Sequence, residues 1–435
     1  MDFVRLTTTK IKSVMADRLL VVCCLALFIW FVFFNYVLNA NIIKELSPSS
    51  FDVHLYYQYS QRILGGEIPF LNLQVEYPPF AVPFFFLPAL LCLPFGGLNF
   101  DLYSTLFHFE CFLLEIATLL VLYKLVKKIY AGNPSHKFIS GIVWLTLGSI
   151  ASSIYLFQRF DIAATFLLSL AFYFVYNAKP GMGGFAIALG TWTKLYPVIA
   201  LPFVLLYWLI YRKERREALI CLISFVITTG IILLPFLILN ANGLLAFLRY
   251  HSERGVQMEA VYANLIILAG VFQITKVAVV NDHNSWNIAS PWSQSLATFS
   301  TLFLALGLLI LFGMVWWAIR RNSPKEPGWL LEAVAIGILW FIISNKVLSP
   351  QYLIWLFPFV PFWKGLKQPL FLMAVILSFI PFPLLYNGFL KLDWLPVSLN
   401  MLRNLALLII FCLLIHKLWL NLKSGGATPR LSHNG

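Results

Sequence analysis

The residues best suited to chemistry begin in Ser49–Pro79, SSFDVHLYYQYSQRILGGEIPFLNLQVEYPP, the first long polar interruption in a very apolar sequence. This stretch holds three acids (Asp52, Glu67, Glu76), four tyrosines (Tyr56, Tyr57, Tyr59, Tyr77) and a closing Tyr77-Pro78-Pro79. Further polar residues stand at the ends of later apolar runs: Arg159 and Asp161, Lys194, then His251, Arg254, Gln257 and Glu259, and finally Asn345, Lys346 and Gln351. Acids and bases mixed at several helix ends are what a polar site at a membrane surface needs.

The elements that position them follow from composition. The chain has 435 residues, 60% hydrophobic, 17% aromatic and 11% charged, with a mean hydropathy of +0.83. A soluble domain carries about a quarter charged residues. Apolar runs of roughly 20 residues, enough to cross a bilayer, recur from end to end. The chain reads as one multi-pass membrane domain over residues 1–435, an all-α bundle of about twelve spans. Arg5, Lys10, Lys12 and Arg18 precede the apolar run Leu19–Leu38. That run is longer than a signal peptide's apolar region and reads as a retained first span with a cytoplasmic N-terminus. The six cysteines lie in apolar segments without metal-ligand spacing and read as small buried hydrophobes.

The net charge of +13 raises the question of nucleic acid, but its placement argues for membrane anchoring and against that partner. Basic clusters at Lys124/Lys127/Lys128/Lys137, Arg212/Lys213/Arg215/Arg216, Arg320/Arg321/Lys325 and Lys364/Lys367 mark cytoplasmic ends. Placing them on one side makes 39–100 a first external loop, 240–292 a second and 419–435 a cytoplasmic tail. The Pro-broken run Phe80–Pro94 then becomes an interfacial or re-entrant helix on the outer face. Expected spans run Leu102–Tyr123, Phe138–Phe157, Ile162–Tyr176, a pair Gly183–Trp192 and Leu195–Tyr211 turning at Thr193-Lys194, and Leu219–Leu239. The last five are Ser295–Ile319, Trp329–Ser344, Tyr352–Trp363, Leu370–Tyr386 and Val397–Leu418. Ten of the 18 Asp and Glu fall on the outer face by this path.

Asp52 with Tyr56 and Tyr59, Gly65-Gly66, Ile68-Pro69-Phe70 and Glu76-Tyr77-Pro78-Pro79 resembles the first external loop of GT-C glycosyltransferases. More narrowly, it is similar to glycosyltransferase family 87, the polyprenyl-phosphate-mannose-dependent mannosyltransferases. Arg159-Phe160-Asp161, Thr193-Lys194-Leu195-Tyr196-Pro197 and Asn345-Lys346-Val347-Leu348-Ser349-Pro350-Gln351-Tyr352 fit the same family, in order. His251–Glu259 is similar too, although Ala260 stands where a serine is expected, so this chain offers no hydroxyl at that position. The resemblance implies a cell-membrane enzyme that moves a hexose, mannose by family, from a polyprenyl-phosphate donor to a glycolipid or glycan hydroxyl. Transfer would occur on the outer face, with inversion. Such transfer needs a base for the hydroxyl proton and cations for the departing phosphate.

By its match to the family's first-loop acid, Asp52 is the expected base. Ser49-Ser50-Phe51-Asp52 also has capping-box spacing, so Asp52 equally reads as the cap of a helix ending at Gly65-Gly66. Glu76 stands either as a binder of acceptor hydroxyls or in a motif whose prolines only stiffen the chain. Arg159 and Asp161 either contact substrate or pair with each other. Lys194 is a phosphate contact or a snorkelling lysine. His251, Arg254 and Lys346 are phosphate ligands or headgroup anchors. Gln257, Glu259, Asn345 and Gln351 suit sugar hydroxyls.

His108, Glu110 and Glu115 sit inside the second span, where ionisable groups are unusual; for Glu115 the bland reading is a carboxyl bonded to a neighbouring span. No Asp-x-Asp, zinc spacing or Gly-rich phosphate loop occurs, so no cofactor or metal is expected. A transporter or lipid flippase is the alternative, and would concentrate polar groups near the midplane; a non-catalytic membrane subunit is the third.

Overall fold

The computed structural model describes residues 2–37, 51–130, 136–321, 324 and 328–423. The first helix, α1 (Asp2–Phe33), carries most of the apolar span Met15–Val37, which runs four residues past its end. α2 (Phe51–Leu64) carries Asp52 in its first turn, and it stops where Gly66 turns left-handed at φ 96°. The serines that would complete a capping box before Asp52 lie outside the described residues. Pro79 opens a short 3-10 turn that leads into α3 (Val82–Cys92). The prolines of Tyr77-Pro78-Pro79 therefore do stiffen the approach to this helix. α3 buries Phe85, Ala89 and Cys92 against α2 and the next helix.

α4 (Phe100–Ile129) starts at Asn99, whose Oδ1 accepts from the backbone N–H of Asp101 and Leu102 at 3.0 and 3.1 Å, and it has Lys127 and Lys128 in its last turn. The side-chain cap satisfies two otherwise orphaned donors, and the lysines complement the carbonyl end. α5 (His136–Ala151), α6 (Asp161–Tyr176) and α7 (Pro180–Thr193) follow. α4 packs on α6 and α6 on α7. α7 lies very close to α8 (Arg215–Glu253): a Cβ on Gly184 would meet the carbonyl oxygen of Cys221 at 2.1 Å. Only glycine permits that approach.

α8 continues beyond the expected span end, broken at Asn240 by a non-helical φ of −159°. Asn240 accepts from the Gly243 N–H at 3.0 Å and donates to the Phe70 carbonyl at 3.1 Å. One side chain thus caps the second half of α8 and ties down the stretch carrying Glu76. The segment 240–292 is itself structured, with α9 (Val261–Val271) and an antiparallel hairpin of β1 (Ala278–Asp282) and β2 (Ser285–Ala289). The hairpin is a departure from an all-helical expectation. Its two-residue turn, His283-Asn284, has φ 51° at both positions, the geometry of a tight hairpin turn.

α10 (Ser293–Arg321), α11 (Trp329–Ser344), α12 (Lys367–Phe379) and α13 (Trp394–Lys423) complete the bundle, with α13 packed on α11 and α12. Among the described residues, five helices are long and apolar enough to cross a membrane, and six further apolar helices have 10–17 residues. The molecule is a helical membrane protein. Tyr352–Trp363 is a correction: it forms 3-10 turns, Pro350–Leu356 and Val360–Phe362, and no spanning helix. Pro358 and Pro361 remove donors that an α-helix would use. The helix expected to end at Leu418 runs on to Lys423, so the tail starts later.

Candidate active site

Asp52, Glu76, Tyr77, Arg159, Lys194, His251, Arg254, Gln257, Glu259, Asn345 and Gln351 line one cavity of about 530 Å³. Eight stretches of chain meet there: the start of α2, the Glu76–Pro78 stretch, the turn before α6, the end of α7, the end of α8 with its continuation, the hairpin, the segment after α11, and Phe382 and Tyr386 further along the chain. Of the residues singled out in the sequence, Asp161 and Lys346 do not line it. Asp161 sits behind the wall and Lys346 beside it.

The charges are paired differently from expectation. Arg159 does not pair with Asp161; its Nε donates to Asp52 Oδ2 in an ion pair across 107 residues of chain. Asp161 instead holds Lys194, with Nζ at 2.5 Å from Oδ2, and its other oxygen accepts from Trp355 Nε1 at 2.7 Å. Asp161 is fully buried and the Lys194 side chain only 14% exposed, so Lys194 does not snorkel. Lys194 Nζ also lies 4.9 Å from the Phe160 ring centroid. The indole of Trp355 is sandwiched between Tyr196 (4.3 Å) and Tyr352 (3.9 Å). The stretch first read as a tenth span is therefore a wall of the cavity, fixed to Asp161 by that indole.

Glu76 is held by the end of α8. His251 Nε2 donates to its carbonyl oxygen at 3.1 Å, which fixes the tautomer needed there. Burial pushes the Glu76 carboxyl up, against hydrogen bonds from Tyr250 and Tyr77 that favour the ionised form.

The opposite wall is pinned by main chain. Gln257 N–H donates to the Lys346 carbonyl at 2.9 Å, Met258 N–H to Trp286 at 3.0 Å, and Ile288 N–H to Val256 at 2.8 Å. Lys346 spends its Nζ on the Ser252 carbonyl at 2.6 Å, which fastens the end of α8. Ala260, in place of a serine, is buried at the N-cap of α9 with no side-chain cap bond.

While its backbone is bonded, this wall leaves side-chain atoms unmatched: Gln257 Oε1, Glu259 Oε2 and Arg254 Nε are buried without hydrogen-bond partners, as is Arg159 Nη1 across the cavity. Burial raises the Glu259 carboxyl to about 7, against the nearby cations Arg403, Arg254 and Arg159. Unpaired buried donors and acceptors facing a cavity are groups waiting for a ligand. Cations with carboxylates and amides suit a molecule carrying both a phosphate and hydroxyls.

The sequence reading missed three contributors. The hairpin brings Asn281, Asn284, Ser285 and Trp286 to the cavity. The Tyr196–Trp355–Tyr352 stack was hidden in a run taken for membrane. Arg403, within α13, was also overlooked; Asn400-x-x-Arg403-Asn404 places three polar residues on one helical face of an apolar run, a signal available in the sequence. Away from the cavity, Ser149 Oγ donates to Glu115 Oε1 at 2.5 Å from α5, which is the interhelical bond expected of it. His108 Nδ1 meets Asn35 Oδ1 at 2.7 Å. Among the described residues, no group of three or more His, Cys, Asp or Glu gathers as a metal site.

No curated protein matches the sequence. A family profile, described as glycosyltransferase family 87, matches residues 76–345, from Glu76 to Asn345 of the cavity. That match covers more than half of the chain, and the chain belongs to glycosyltransferase family 87, a family of membrane glycosyltransferases.

Proposed function

We propose that the cavity transfers a hexose, mannose by family likeness, from a polyprenyl-phosphate donor to a hydroxyl of a glycolipid or glycan on the outer face of the cell membrane. The N- and C-termini would be cytoplasmic, and the bundle would make about twelve passes, with its shorter helices crossing alongside the long ones. The observation that carries the reading is the sorting of charge in one cavity. Asp52, with Oδ2 held by Arg159, faces the same space as Lys194, His251 and Arg254.

In this reading Asp52 takes the acceptor hydroxyl proton with the carboxylate oxygen that Arg159 does not hold. The hydroxyl oxygen attacks the anomeric carbon from the face opposite the phosphate, and the sugar–phosphate bond breaks as the new glycosidic bond forms. Lys194 and Arg254 bind the departing phosphate, with His251, bonded to the Glu76 carbonyl, and Lys346 holding the end of α8 in place. Glu76, Tyr77, Gln257, Glu259, Asn345 and Gln351 receive sugar hydroxyls; Asp161 sets Lys194. Removal of the phosphate product completes the cycle. No metal is invoked, so EDTA leaves transfer unchanged; loss of transfer on chelation, restored by a divalent ion, would contradict this.

The test is transfer from radiolabelled polyprenyl-phosphate mannose in membranes containing the protein. Label appearing in a glycolipid or glycan supports the reading. Solute flux in proteoliposomes, with no transfer from any lipid-linked hexose, would favour the transporter instead.

A further inference from the structure

Arg403 is 1% exposed, about two and a half turns into α13. Its Nη2 donates to the main-chain carbonyl of Glu259 at 2.6 Å and to Asn400 Oδ1 at 2.5 Å. Asn404 Nδ2 donates to the same Glu259 carbonyl at 3.1 Å, and Asn400 Nδ2 reaches Asn264 Oδ1 at 2.9 Å on α9. Two residues of α13 thus converge on one backbone atom of the cavity wall, and a third, Asn400, ties Arg403 to α9. Arg403 Nε and Nη1 are nevertheless left without hydrogen-bond partners. An asparagine alone could hold that carbonyl, and a buried guanidinium with unmet donors is costly as mere scaffolding. Its charge is what an amide lacks, and it acts on Glu259, whose side chain is 6% exposed with Oε2 unpartnered and which lines the cavity.

We infer that Arg403 is a positioning residue for sugar transfer: it fixes the Glu259 main chain and, by its charge, keeps the Glu259 carboxylate ready to accept hydrogen bonds from substrate hydroxyls. The substrate half of this statement rests on the function proposed above. The groups around Glu259 are the cations Arg403 from α13, Arg254 from the end of α8 and Arg159 from the turn before α6, with the phenols Tyr155, Tyr352 and Tyr386. Burial brings the Glu259 carboxyl to about 7 and Arg403 opposes that rise. Removing Arg403 therefore raises the carboxyl further, so a higher pH is needed to ionise it.

The experiment compares kcat/KM for transfer from polyprenyl-phosphate mannose across pH 5.5–9 in wild type, Arg403→Met, Arg403→Lys, Glu259→Gln and the double variant Arg403→Met/Glu259→Gln. The expected result is an acid limb near pH 7 in wild type, moved up by about one pH unit in Arg403→Met. Arg403→Lys keeps the limb near its wild-type place. The limb disappears in Glu259→Gln, and adding Arg403→Met to that variant shifts nothing. A uniform fall in rate at every pH in Arg403→Met, with the limb unmoved, would overturn the inference and leave Arg403 as scaffold.

A second readout does not depend on which sugar is moved: the melting temperature of the purified protein against pH. The folded carboxyl binds its proton more tightly than the unfolded one, so wild type loses stability relative to Glu259→Gln as pH rises from about 4.5 to about 7. Arg403→Met extends that loss to higher pH. If no lipid-linked hexose is transferred, the function reading fails and these curves still decide the positioning claim. If Arg403→Met does not fold, coincident curves for wild type and Glu259→Gln overturn it.

Discussion

The two walls of the cavity handle charge in opposite ways. On the first, Asp52 and Asp161 are each engaged by a cation, Arg159 and Lys194, and Asp161 is further held by an indole. On the second, the Gln257 and Met258 N–H groups and the Glu259 carbonyl are bonded while Gln257 Oε1 and Glu259 Oε2 have no partner. On the first wall each carboxylate already has its cation, with Arg159 Nη1 the one donor left unmatched; the second wall leaves its carboxylate and amide oxygens for a ligand. A preorganised wall supplies fixed charge to the reacting atoms, and an open wall supplies recognition. Disruption of the first should therefore cost folding, and disruption of the second should cost binding.

The largest effect is expected at Asp161. Asp161→Ala strands Lys194 beside the buried pocket it leaves, and stability should fall by about 3–5 kcal/mol, read as a lowered melting temperature. An unchanged melting temperature would mean that the first wall is not preorganised by this pair. Trp355→Phe keeps most of the ring stack but removes the donor to Asp161, a hydrogen bond to a charged group whose loss costs about 1.5–3 kcal/mol. On the second wall, Gln257→Ala removes an amide oxygen that is already unsatisfied, so stability should change by less than about 1 kcal/mol. Its transfer rate at low donor concentration should fall several-fold, and a large loss of stability with unchanged binding would erase the contrast. The smallest effect belongs to Arg62→Ala, which breaks an exposed pair with Glu67 on neither wall and should leave melting and transfer unchanged.

Much of this was legible in the sequence because membrane helices and their ends are written in composition. Trp329–Ser344 was bounded correctly from its apolar run alone, and the turn at Lys194 from two flanking helical runs. Polar residues at helix ends were gathered into one cavity as their placement implied. Partner choice was not legible: Arg159 and Asp161 are two residues apart, yet each bonds a group more than thirty residues away. Such pairing is decided by how helices pack. The hairpin was hidden because its turn is His283-Asn284 and lacks the glycine that usually marks that geometry. Tyr352–Trp363 misled because it is as apolar as a span, and only its prolines argued otherwise.

The claim at the centre is that Asp52, fixed by Arg159, is the base of the transfer. It is tested most directly by initial rates of sugar transfer from polyprenyl-phosphate mannose with wild type and Asp52→Asn, each verified as folded by its melting temperature. The account predicts a loss of about 10²–10⁴-fold in rate for Asp52→Asn, the range for removing a positioned general base. Wild-type rates in a folded Asp52→Asn variant would contradict it.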